Sequence, residues 1–337
     1  MIAPAVSTIG AGLSGLALGL SLKSKGISGK IYDLAPGIPR FNYGITLHAS
    51  TYRPLLGLLK MDEATFRKET AVDGARGEPV IWKDRTHLVK FERGLGFKTR
   101  CLAGCDGINS SVSRSLMHKV DADVHPFVAF SGRRRVPTDV FVKVFGQSMA
   151  ENVMIVHHNG AARLEITISD MTSEYVILGY IYSRQTRSQG STKDPLHTPL
   201  RPSPGAKLTP PALYDEIEAL GNLPQPFNTI FHAESMRNDR LLHWLLRSRR
   251  PQIDHSKQLA DRGAFIIGDA AHGAPLLGGE GANMAITDGI DLAEHIAKRG
   301  VDTAAGFSNS KYESWIKFVD ESVQRLRDMH NPGGRRH

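Results

Sequence analysis

The chain has 337 residues, 41% of them hydrophobic and 23% charged, enough for one large or two ordinary domains with a real core. Its formal net charge is +8, but the basic clusters Arg133-Arg134-Arg135, Arg247 with Arg249-Arg250, and Arg335-Arg336 are scattered and lack interleaved aromatics. They read as solvated surface, which argues against nucleic-acid binding, although a basic surface also favours the approach of anionic ligands.

The first 22 residues are apolar but lack the positive start of a signal peptide. No charge-free apolar run of 18 residues occurs elsewhere, so a soluble protein without stable membrane insertion is expected. Cys101 and Cys105 form neither a disulfide framework nor a metal site, which fits a reducing, cytoplasmic setting. Residues 5–9 read as a strand, followed by Gly10-Ala11-Gly12-Leu13-Ser14-Gly15 and an apolar helix over 16–22. A second strand over 30–33 ends in Asp33. This is the context a dinucleotide fingerprint requires: a tight turn, close backbone approach to a pyrophosphate, and an acid for the ribose hydroxyls.

Residues 42–47 look like a loop entering a short strand, and 55–59 like a helix. A further helix is predicted over 82–91, where Arg85 and Leu88 share a face and Arg85 alone reads as a surface residue. A short apolar strand then ends at Asp106-Gly107, with Ser110 or Ser111 placed to cap the next helix. From 124 to about 182 the period changes. Runs at 140–142, 153–156, 164–168 and 175–181 suggest an antiparallel sheet of four or more strands, inserted in the surrounding α/β pattern. Residues 185–211 are rich in Pro, Ser, Thr and Gly and read as a long loop, and 211–220 as a helix opened by Pro211.

Residues 264–267 read as a buried strand ending at Gly268-Asp269. His272 and Pro275 follow, then a loop holding Gly278, Gly279 and Gly281, in which backbone can approach a ligand closely. From Asn283, apolar residues at three- and four-residue spacing mark an amphipathic helix, whose N-terminus suits a phosphate or a developing negative charge. Residues 304–329 read as one or two helices, before a frayed tail.

The three turns, in this order and with a β-rich stretch before the third, resemble the flavoprotein monooxygenases of the para-hydroxybenzoate/salicylate hydroxylase type, and most of all their fungal secondary-metabolism members. The resemblance is specific over residues 6–33, 102–111 and 265–292. It implies an α/β fold: an FAD-binding Rossmann-type (glutathione-reductase-like) domain over 1–118 and 236–337, with an inserted antiparallel β-sheet substrate domain over 119–235. It implies that Gly10, Gly12 and Gly15 face the FAD pyrophosphate and that Asp33 binds the adenosine ribose, where the family more often has Glu. Asp106 and Gly107 would support FAD and contribute to NAD(P)H use, and Asp269 would meet the ribityl or pyrophosphate region. Pro275 would lie beside the isoalloxazine. The amides of Gly281, Ala282 and Asn283 would stabilise negative charge on its pyrimidine edge. Asp84-Arg85-Thr86-His87-Leu88 resembles the family's Asp-Arg-x-x-Leu, which makes Arg85 a candidate FAD ligand, and Gly44 joins the cofactor-binding set.

Two departures stand out. The arginine that the family carries three residues after the serine of its second motif falls here on Ser113, with Arg114 one place later. The path from Arg85 to Asp106 is also too short for the helix and hairpin found there in the family, and reads as a deletion within the FAD domain, affecting 86–105.

The activity the resemblance implies is reduction of FAD by NAD(P)H and reaction with O2 to a flavin hydroperoxide. The distal oxygen would then pass to a small aromatic or alkene substrate, which the protein positions away from water. No base is required. His272 is the catalytic candidate and reads more readily as structural, with His48 and His157-His158 behind it. The shortened segment motivates a rival, a non-redox cyclase, isomerase or binding protein that retains the fold but binds FAD poorly. A plain NAD(P) dehydrogenase would leave Asp269 and its glycine loop unexplained.

Overall fold

Parallel strands need a crossover between them, and the N-terminal third supplies one. Strand β1 (Val6–Ile9) leads through helix α1 (Leu13–Ser24) to β2 (Gly29–Tyr32), and the two strands pair in parallel, Val6 opposite Gly29. In this computed structural model the described residues are 5–33, 46–70, 101–116, 122–187, 194–197, 209–261, 263–278, 280–301 and 306–331. Helices α2 (Ala49–Leu59) and α3 (Glu63–Thr70) follow, then β3 (Leu102–Gly104), α4 (Ser111–Leu116) and the short β4 (Asp123–Val124). Helix α3, not among the expected elements, is held by Tyr52 stacked on Phe66 at 5.4 Å between centroids. The predicted helix over 82–91 and the shortened stretch after Arg85 lie outside the described residues.

The chain divides into two units: Met1–Asp123 with Arg247–Arg325, and Val124–Leu246 with the chain from Leu326. The second contains β5 (Phe127–Pro137), α5 (Thr138–Val144), β6 (Met154–Asn159), β7 (Ala162–Met171), β8 (Tyr175–Gln185), α6 (Pro211–Glu218), α7 (Phe227–Ile230), α8 (Ala233–Arg237) and β9 (Leu242–His243). Its strands form an antiparallel sheet in the order β6-β7-β8-β5-β9. Leu164, Ile166 and Ile168 alternate inward on β7, as do Leu178, Tyr180 and Tyr182 on β8. Tyr180 fits only because its neighbour across the ladder is Gly132, where a β-carbon would stand 2.2 Å from the Tyr180 ring.

Residues 140–142, expected as strand, are helical. Pro137 ends β5, Asp139 lies in the first helical turn, and Phe141 and Phe145 stack one turn apart at 5.7 Å, so local capping and packing override the β-preference of Val-Phe-Val. The arginine cluster on β5 is also not uniformly solvated. Strand alternation sends Arg134 inward to Asp239, with Nη2 2.5 Å from Oδ2, while Arg135 lies 3.7 Å from the Tyr175 ring centroid. Within the loop expected over 185–211, Asp194 is buried against Arg184; residues 188–193 and 198–208 lie outside the described set.

The rest of the first unit is β10 (Arg247–Ser248), α9 (Ile253–Asp261), β11 (Ala264–Ile266), the single turn α10 (Asp269–His272), α11 (Gly281–Arg299) and α12 (Gly306–Met329). Strand β11 pairs with β3 in parallel and completes a four-stranded sheet in the order β11-β3-β1-β2. Its core joins Val6, Leu18, Leu22, Ala103, Phe265, Ile267, Leu292 and Trp315. No helix among the described residues is long and apolar enough to cross a membrane.

Candidate functional site

Because β1, β3 and β11 run parallel as neighbours, the turns that follow them emerge at one edge of the sheet. The glycine turn Gly10–Gly15, the Asp106-Gly107 turn and the Gly268-Asp269 turn are therefore side by side, with Asp33 at the same end of β2.

The glycine turn is tight for a physical reason. Gly10 has φ +103, and a β-carbon there would lie 2.4 Å from Cys105 O; one at Gly15 would lie 2.0 Å from Gly10 O. Gly12 differs. It is the exposed N-cap of α1, no side chain caps it, and a β-carbon on it would approach nothing closer than Cys105 O at 3.9 Å. The Ala11 N–H donates to Asp33 Oδ2 at 2.6 Å, so the acid at the end of β2 is drawn onto the glycine turn.

Asp106 serves the second turn as a cap. Its Oδ2 accepts the N–H groups of Ser111 and Val112 at 2.6 and 3.2 Å, and Oδ1 accepts the Ser110 hydroxyl at 2.5 Å. Ser110 Oγ in turn accepts the Ser113 N–H at 2.9 Å, as an N-cap serine does. Gly107 takes φ +76 with open space in front of it. Ser113, which stands where the family has arginine, is fully buried and donates to Ala270 O at 3.4 Å.

The cation that joins the second and third turns comes from elsewhere. Arg249 is only 4% exposed, contrary to its expected place on the surface. Its Nη1 donates to Ala270 O at 2.8 Å, its Nη2 to Ile108 O at 2.6 Å, and its backbone N–H to Gly273 O at 2.7 Å. No local sequence signal distinguishes it from Arg250, which pairs with Asp320 at the surface.

Asp269 is exposed at the start of α10. Desolvation by the protein around it pushes its carboxyl pKa up, against the pull of His272 and Arg249. Its Oδ1 faces the start of α11, 3.7 Å from where a Gly281 β-carbon would be. His272 is buried, and its Nε2 lies 2.5 Å from Asp288 Oδ2. Asp288, also fully buried, accepts the Gly268 N–H at 3.0 Å and the Trp315 Nε1–H at 2.9 Å. His272 thus ties the turn to α11 and α12, an anchoring arrangement.

Pro275 is buried in the connection to α11, and Gly278, at φ +139, turns the chain into that helix. The N-cap of α11 is Glu280, whose side chain makes no capping bond to its own helix. Gly281 and Ala282 are partly open, while the Asn283 side chain is bound to the segment before α2: Oδ1 accepts the His48 N–H and Nδ2 donates to Thr46 O, both at 2.9 Å. Gly44, Arg85 and Gly279 lie outside the described residues. Both cysteines are free and buried, and burial pushes the Cys105 thiol far up, so it is inert.

A parallel sheet whose carboxyl edge gathers a glycine turn, an acid-ended strand and the uncapped starts of two helices has the arrangement that suits a dinucleotide. The residues fit such a ligand: glycines keep backbone bare where a phosphate passes, and the first amides of α1 and α11 lack side-chain caps. Comparison with known proteins narrows the class. Residues 253–315 match the FAD binding domain family. The FAD-dependent monooxygenase nscC of Aspergillus fumigatus is 29% identical over 248 residues, 72% of this chain and 60% of that protein. Among solved structures, a variant of Klebsiella pneumoniae HpxO complexed with FAD aligns with TM-score 0.68 at 11% identity, covering 97% of this chain and 90% of that one. The 2,6-dihydroxypyridine-3-hydroxylase of Arthrobacter nicotinovorans gives 0.67 at 16%, covering 97% and 92%. The chain is thus similar to FAD-dependent monooxygenases and shares the α/β fold of the solved flavin hydroxylases, a Rossmann-type unit and an antiparallel β-sheet unit. It spans about 60% of the length of the nscC protein it matches.

Proposed function

We propose that the protein is an FAD-dependent monooxygenase that consumes NAD(P)H and O2 to hydroxylate or epoxidise a small aromatic or unsaturated metabolite, as part of secondary metabolism in the cytoplasm. The observation that carries this reading is the gathering of the Gly10, Asp106 and Asp269 turns at one edge of one parallel sheet. When bound and reduced, the flavin supplies the oxygen-activating chemistry. The chain's part is to hold and shield it. The first unit holds the cofactor, and the second is the substrate domain.

Gly12 leaves room for the pyrophosphate at the positive end of α1, and Asp33 is placed for the ribose. Asp106 holds α4 in place, and Arg249 locks that turn to the Asp269 turn. Asp269 presents its carboxylate beside the head of α11, and the Gly281, Ala282 and Asn283 amides meet negative charge on the flavin. Arg85, Gly44 and Pro275 complete the proposed set. His272 is assigned no proton transfer, since its Nε2 is engaged by Asp288.

The purified chain is expected to be yellow, or to become so on titration with FAD, and to oxidise NAD(P)H with matching O2 uptake when given a phenolic substrate. Colourless protein that takes up no FAD on reconstitution overturns the proposal in favour of the non-redox rival.

A further inference from the structure

Beside the first turn of α11 stands a group of charged side chains with no role in the reading above. Glu280 Oε1 and Oε2 lie 2.9 and 2.8 Å from His48 Nε2. Oε1 also accepts from Arg325 Nη1 at 3.4 Å, and Oε2 from Asn283 Nδ2 at 3.4 Å. One carboxylate therefore links the segment entering α2, the head of α11 and the last third of α12. It is a quarter exposed, so its field is felt locally and is not lost to bulk water.

The position gives the carboxylate an electrostatic consequence. The first amides of α11 offer partial positive charge to whatever lies before them. A carboxylate at the N-cap subtracts from that potential, while the Arg325 guanidinium restores it. Asp269, whose Oδ1 lies 3.7 Å from where a Gly281 β-carbon would be, adds a second negative group. The charge presented at the head of this helix is thus a balance among Glu280, Arg325, Asp269 and His48.

We propose that Glu280 is a positioning residue that, with Arg325, sets the reduction potential of a flavin bound before α11. The proposal rests on the FAD reading above. Reduction adds negative charge to the flavin, so a more positive helix head favours the reduced form.

The test is the potential of bound FAD in the wild-type protein, in Glu280→Gln and in Arg325→Gln. Glu280→Gln keeps the shape and a hydrogen bond but removes the charge. It should raise the preference for reduced over oxidised FAD about tenfold, a rise of about 30 mV for a two-electron couple. Arg325→Gln should shift the potential the opposite way. Simple loosening of the join would move both variants in the same direction, and either that result or two unshifted potentials overturns the inference alone. Wild-type protein that binds no FAD overturns the underlying reading, and this inference with it.

Discussion

At Gly12 there is room for a β-carbon, and at Gly10 and Gly15 there is none, although all three belong to one short motif. Gly12→Val is therefore expected to leave the fold and its unfolding midpoint nearly unchanged while abolishing FAD uptake, read from the flavin absorbance of reconstituted protein. Gly15→Ala drives a methyl into the Gly10 carbonyl and should cost about 2 kcal/mol or more in denaturant unfolding. Unchanged flavin content in Gly12→Val would remove the proposed cofactor position. Asp269 carries a different compromise. Its folded pKa is raised, so the folded state holds the proton more tightly and this carboxyl subtracts stability as pH rises past its ordinary range. Asp269→Asn should weaken FAD binding, read as a higher midpoint in a flavin titration.

Between elements, charge and contact distance decide what is tolerated. In the second unit, Arg184 on β8 is buried between Asp194 and the Glu216 carboxylate on α6, at 2.5 and 2.6 Å. Burial alone would push the Asp194 carboxyl up, but the Arg184 bonds and the Arg187 and Leu196 amides override it and hold it well below the usual carboxylate range. Arg184→Met strands two acids in the interior and should cost about 3–5 kcal/mol, measured by urea unfolding. This pinning of the 194–197 segment was not visible in a stretch whose Pro, Ser and Gly content announces only a loop, because its partners lie on β8 and α6. The α/β elements were far more legible. The strands ending at Ile9 and Ile266 and the helix from Gly281 follow from apolar period and glycine punctuation, both local properties. The helix over 138–144 was misread because three β-favouring residues outweighed, on paper, the proline and aspartate that open it.

For the molecule as a whole, acid is the direction of weakness. Burial holds the pKa of His330 and His243 below the ordinary histidine value, so the unfolded chain binds more protons than the folded one as pH falls below about 6.5. Stability from these groups is complete above that range and is lost beneath it. The urea midpoint should fall between pH 7 and pH 5, and His330→Gln, which removes the ring bonded to Ser183 Oγ, should flatten that slope. A midpoint independent of pH would contradict the assignment. The proposed site was legible in its backbone and not in its supports. Glycines and acids at strand ends mark where a ligand goes, whereas Arg249, Asp288 and Trp315 act from distant parts of the chain.

One contact has reach beyond its own neighbourhood. A β-carbon on Gly289 of α11 would stand 2.5 Å from Ser14 O and 2.7 Å from Leu18 N on α1, so the two helices touch main chain to main chain. The first turns of α1 thus cross α11 at Gly289, two turns in from its head, with backbone thickness alone between them. Bulk admitted at 289 would push α1 away from α11 and carry the Gly12 turn with it.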